Sequence, residues 1–204
     1  MKIRDFETRI RPLLAFNLND VRKIDPAFHR QQLHYWTTQG LVARLGGGYY
    51  RLAEQHVNEA YRFMLSNRMY APSYVSLESA LAFHQVIPET ALTVTGVSSR
   101  KTRLVTGEAG RFSYRSVRPE YMFGYTVVAA EGPVKFSMAV LEKAVLDHLY
   151  LNPGILSEED LEGQRWNRDS LKQMDPETVA GYLRVFNSRA LAWRVSILED
   201  YIHA

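Results

Sequence analysis

The chain has 204 residues, 46% hydrophobic and 23% charged, with no cysteine and a net charge of +3. These values fit one large or two small folded domains, exclude disulfides and thiolate metal sites, and lead us to expect a reducing, cytoplasmic setting. The charged N-terminus MKIRDFETRIRPLL lacks the apolar core of a signal peptide, and no run approaches the ~20 apolar residues of a membrane span.

Charge is unevenly placed. Residues 1–52 hold nine Lys/Arg against four acids, whereas the remainder holds sixteen basic and eighteen acidic residues. A basic first quarter on a slightly acidic body points to a nucleic-acid-binding module joined to something else. Ile3, Phe6, Ile10, Leu13 and Leu14 recur at helical spacing, with Pro12 expected to interrupt the helix. Asn17 can cap a second, short helix, with Asp20 near its positive end. Asp25 and Pro26 predict the start of a third helix, which Gly40 would end. On that helix His29, Leu33 and Trp36 share one face, while Gln31, His34, Tyr35 and Thr38 share the other, with Arg30 on its border.

QGLVARLGGGYYRL follows. A phosphate-binding loop needs a following helix and, for a P-loop, a GK[ST] ending. Here Gly48 runs into Tyr49-Tyr50, and both flanks alternate in polarity, so the stretch predicts a β-hairpin. Three helices and a hairpin in this order are those of a winged helix-turn-helix, whose third helix enters the major groove. Arg30, Gln31, His34 and Tyr35 are then candidates for base contacts, and Arg22, Lys23, Thr38, Arg44, Tyr49 and Arg51 for backbone contacts. A small helical domain that uses the same core for protein contacts is the alternative.

Residues 54–72 read as a linker helix. Residues 73–204 read as a larger domain, with a helix capped by Ser76 and strands in LTVTGV, TRLVT, RFSYRSV and YTVVA. KFSMAVLEKAVLDHLYL reads as a buried helix, and further helices are expected near 157–161, 170–174 and 176–201. The expected class is α+β: a winged helix over 1–53, then a mixed domain with an antiparallel-rich sheet and packed helices. A second basic patch comprises Arg100, Lys101, Arg103, Arg111, Arg115 and Arg118, with Glu108 the one acid among them. It is either a face for an acidic partner or phosphate backbone, or a solvated sheet face.

No HExxH, CxxC or GxSxG is present. His84 and His148 lie in apolar helices and read as core histidines. Glu158-Glu159-Asp160 reads as an acidic helix start, with a metal-dependent nuclease site there as a remote alternative. No catalytic residue, metal or cofactor is expected.

The segments NRMYAPSYVSLESALAFHQVIPE, TVTGVSSRKTRLVTGEAGRFSYRSVRPEYMFGY and LEKAVLDHLYL, in this order over residues 67–151, resemble the AbiEi family of antitoxins from type IV toxin–antitoxin systems. The pair Gln85-Val86 departs from the family pattern, where a glycine often precedes Ile-Pro. The resemblance implies a protein that represses its own operon through an N-terminal winged helix. It implies a second domain that neutralises a nucleotidyltransferase-like toxin, directly or indirectly. It supplies no catalytic residue and marks the segments SSRKTR and GRFSYR as part of its signature, while Tyr74, Ser76, Glu78, Gly96 and Gly110 read as holding the fold. Double-stranded operator DNA and the toxin are the expected partners, and a homodimer on DNA fits palindromic operators. A stand-alone regulator with a ligand- or protein-sensing second domain is the other reading.

Overall fold

The computed structural model describes residues 1–88 and 92–203. Glu89, which ends the first family-like segment, and Ala204, which ends the larger expected domain, lie outside the described residues. The fold is α+β with a mixed sheet.

The first helix, α1 (Ile3–Ile10), buries Phe6 and Ile10 and stops before Pro12, which sits in a 3-10 turn. Asn17 caps α2 (Leu18–Ile24) through a capping box. Its side chain accepts from the Asp20 amide, and the Asp20 carboxylate accepts from the Asn17 amide. The third helix, α3 (Arg30–Thr38), begins four residues later than Pro26 predicts. Asp25 closes a turn instead, its carboxylate accepting from the Ala27 amide and its carbonyl from the Phe28 amide. Phe28 thereby takes the core position that the sequence reading gave to His29, and packs with Phe6 and Trp36. His29 is exposed at the helix start.

The glycine-rich hairpin forms as expected from β2 (Val42–Gly46) and β3 (Tyr49–Leu52). A two-residue strand not foreseen, β1 (Phe16–Asn17), pairs with β3 and gives the order β1-β3-β2. The expected alternation of LVARL breaks at a bulge between Arg44 and Gly46. Val42 and Leu45 still face opposite sides as expected, Val42 entering the small N-terminal core and Leu45 the larger one.

The expected linker helix, α4 (Glu59–Met69), is part of that larger core, burying Tyr61, Phe63, Met64 and Leu65. It packs on a sheet of β4 (Ser73–Val75), β5 (Thr93–Ser98), β6 (Arg103–Gly107), β7 (Gly110–Ser116), β8 (Tyr125–Ala129) and β9 (Lys135–Ala139), ordered β6-β7-β5-β4-β9-β8. Four of these strands were expected. Residues 135–139 were expected to begin a helix, yet Phe136 and Met138 are buried while Lys135 is exposed, a strand's period of two. The apolar run of α6 (Leu141–Leu151) directly after them masks that pattern in the sequence. Pairing is antiparallel in β4–β5, β6–β7 and β8–β9, and parallel in β5–β7 and β4–β9.

Helix α5 (Glu78–Phe83) starts after Leu77, whose φ is 59°, and Ser76 does not cap it. Helices α7 (Glu158–Gln164), α8 (Arg168–Leu171), α9 (Pro176–Phe186) and α10 (Arg189–His203) complete the fold. The single long helix expected over 176–201 divides at Asn187, whose left-handed backbone ends α9.

One buried network ties these layers together. Lys143 and Asp147 on α6 are fully buried and form an ion pair. Asp147 also accepts hydrogen bonds of 2.8 Å from the hydroxyls of Tyr74 and Ser76 at β4. The Lys143 ammonium lies 4.7 Å from the Phe186 ring and 4.8 Å from the Phe123 ring. Burial pushes the Asp147 carboxyl up and the Lys143 amine down, and each opposes the other's shift. Removing one partner strands the other's charge. Lys143→Met is expected to lower stability in urea by about 3–5 kcal/mol, with most of it recovered in Lys143→Met/Asp147→Asn. Equal losses in the single and double variants would mean that the cost is packing and not charge.

Candidate nucleic-acid interface

The base-contact candidates of α3 divide between two clefts. Arg30, Gln31 and His34 line one of about 640 Å³ together with Arg22 of α2, His29, Thr37, and Arg44 and Tyr50 of the hairpin. Tyr35, 60% exposed, faces the other, of about 700 Å³, with Lys2, Arg4 and Gln32. Three arginines from three elements thus converge on the first cleft, where α3 begins without a side-chain cap. The positive dipole end of the helix adds to that charge.

The remaining candidates lie elsewhere. Lys23 is exposed on α2 outside the cleft lining, and the Thr38 hydroxyl donates to the carbonyl of His34. Arg51 turns back on its own chain, donating to the carbonyls of Leu52, Ala53 and Gln55. The Tyr49 hydroxyl donates to the carbonyl of Arg68 at 2.7 Å. His29, Thr37 and Tyr50 were not picked out from the sequence. Tyr50 enters because the bulge sets it opposite Arg44, and His29 because the helix starts late. Neither shift leaves a signal in residue spacing.

The three glycines turn the hairpin and dock it. Gly46, Gly47 and Gly48 have φ of 113°, 58° and 83°, the region that favours glycine. Their turn lies against the β6–β7 hairpin: the Ala109 amide donates to the Leu45 carbonyl, and a Cβ on Gly46 would stand 3.0 Å from the Cα of Gly107. Arg68 of α4 adds to this junction, donating to the carbonyl of Leu13 and pairing with Asp20 at 3.6 Å. The Tyr61 hydroxyl donates to the carbonyl of Leu14, and burial raises its pKa to about 12.

The second basic patch is not one face. Arg111 and Arg115 share a side of β7, whereas Arg103 pairs opposite Tyr114 and so points to the other side of the sheet. Arg100 and Arg103 lie over the ring of Tyr70, Arg115 donates to the carbonyl of Leu151, and Arg118 neighbours Glu120 and the Tyr121 ring. Lys101 and Arg111 are exposed.

His148 is buried against Trp166 with its Nδ1 3.8 Å from Glu78, and burial pushes its pKa down. His84 donates its Nε2–H to the Ala139 carbonyl at 2.9 Å. Among the described residues no group of three or more His, Asp or Glu could hold a metal, and no helix is long and apolar enough to cross a membrane. Comparison with protein-family models and with curated proteins gave no match.

A Cβ at Gly107 would collide with the Leu45 carbonyl and the Gly46 backbone. Gly107→Ala is therefore expected to lower the melting temperature by several degrees, roughly a 1–3 kcal/mol loss. It should also raise amide exchange at Ala109, whereas Gly154→Ala, with open space around it, should change neither. Unchanged exchange in Gly107→Ala would mean that the hairpin tip is not docked in solution.

Proposed function

We propose that the chain is a non-enzymatic DNA-binding repressor with a winged-helix N-terminal unit, and that it serves as the antitoxin of a type IV toxin–antitoxin pair. The observation that carries the DNA half is the convergence of Arg22, Arg30 and Arg44 with Gln31 and His34 around the uncapped start of α3. Arg and Gln forks match purine edges in the major groove, and a helix start matches a phosphate. Arg44, and not the docked glycine tip, would carry the wing's backbone contact. The antitoxin half is supported by the AbiEi-like segments over residues 67–151.

The test is a salt-series titration of the full chain against its own upstream DNA and a scrambled duplex. Wild type should prefer the upstream DNA. Arg30→Ala should cost about 1–3 kcal/mol on that DNA and relax sequence choice. Arg44→Ala should weaken binding to both duplexes and lower the salt slope by about one. Arg51→Ala should leave the slope unchanged, because its guanidinium is held by backbone carbonyls. Equal, weak binding of wild type to both duplexes would overturn the repressor reading.

For the second half, co-expression of the full chain with a neighbouring nucleotidyltransferase-like protein should restore growth. Arg30→Ala should restore it equally well if neutralisation and operator binding are separate. Persistent toxicity beside abundant folded protein would leave the chain as a stand-alone regulator.

A further inference from the structure

The six-stranded sheet treats its two edges differently. At the β6 edge the glycine-rich hairpin comes close, with the Ala109 amide bonded to the Leu45 carbonyl. That edge also carries Arg103, just after Arg100 and Lys101. Charge and cover are two standard protections of a strand edge. The β8 edge has neither. Its strand reads YTVVA, and no charged residue occurs between Glu120 and Glu131 and no proline between Pro119 and Pro133. Tyr125, Thr126, Val127 and Ala129 are all exposed, Val127 by 64%.

The hydrogen-bond phase of β8 shows which backbone groups face outward. The Val140 amide donates to the Gly124 carbonyl, and the Ala130 amide donates to the Val134 carbonyl. With Thr126 opposite Met138 and Val128 opposite Phe136, the even-numbered residues turn their backbone groups to β9. Tyr125, Val127 and Ala129 therefore turn theirs away from the sheet. This row is symmetric about Val127.

The geometry points to β8 as a self-association edge, its occupant the β8 strand of a second copy of this chain. Antiparallel pairing about a two-fold axis through Val127 sets Val127 opposite Val127 and Tyr125 opposite Ala129 of the second copy. Each of these pairs can exchange both backbone bonds. A charged edge would repel its own image, whereas this one brings no like charges together; Glu131 falls opposite the uncharged Phe123. Val127 also lines an open cleft of about 360 Å³ in which Pro12, Leu13 and Phe136 stand beside Arg68 and Lys135, so the surface next to the seam is mixed in character. The inference is independent of the DNA-binding reading.

Sedimentation of the full chain without DNA, from about 1 to about 100 µM, tests it. Wild type should show a monomer–dimer equilibrium. Val127→Lys should weaken it by at least about tenfold, since it places two ammonium groups opposite each other. Val127→Thr keeps the β-branched shape without charge and should still dimerise. Because Val127 is largely exposed, both variants should keep the wild-type circular dichroism. Amides of Tyr125, Val127 and Ala129 should exchange more slowly at high than at low protein concentration. A chain that stays monomeric throughout, or a dimer indifferent to Val127→Lys, overturns the inference.

Discussion

The carboxylate of Asp147 is the point on which the larger part of the fold depends. It cannot stay charged in a dry interior without donors, and it recruits them from separate segments: hydroxyls of Tyr74 and Ser76 at the central strand β4, and the ammonium of Lys143 one turn away on α6. The ammonium in turn needs surroundings that tolerate a cation, and the rings of Phe123 and Phe186 supply them. One buried ion pair thus fixes α6 over β4 and draws in the strand β8 region and the end of α9. Such a pair adds little net stability compared with apolar packing. Its effect is to penalise any arrangement in which these segments do not meet.

A second constraint joins the two cores. The N-terminal unit has its own small core around Phe6, Phe28 and Trp36, but Leu45 and Ala15 belong to the larger one. Arg68, Tyr61 and Tyr49 bond across the junction to backbone carbonyls. The hairpin tip is consequently committed to an internal contact, which shifts the proposed DNA surface from the tip to its stem and the start of α3.

Much of the local structure was legible because it depends on neighbours in sequence. The Pro12 stop, the Asn17–Asp20 box, the Gly-rich hairpin and the Ser157–Asp160 helix start each follow from residues a few positions apart. The errors have a common cause. Asp25-Pro26 satisfies helix-start statistics, yet the Phe28 ring reaches the core only if the chain turns first. KFSMA is uncharged after its first residue and runs into an apolar helix, so its strand pairing with β8 and β4 was invisible. Lys143 and Asp147 were four apart on an apolar helix, the spacing of an ion pair, but spacing does not say that both are buried.

The sequence by itself determined the α+β class, most element types, the basic bias of the first quarter, and Arg30, Gln31 and His34 as exposed polar residues of the third helix. Tertiary structure decided which of the candidates meet. Arg44 reaches that helix while Arg51 does not, because a bulge and three carbonyls set their directions. It also split the second basic patch, since strand alternation sends neighbouring arginines to opposite sides of a sheet. Side-chain direction along a strand is local, but what lies on each side of it is fixed only when distant segments pack.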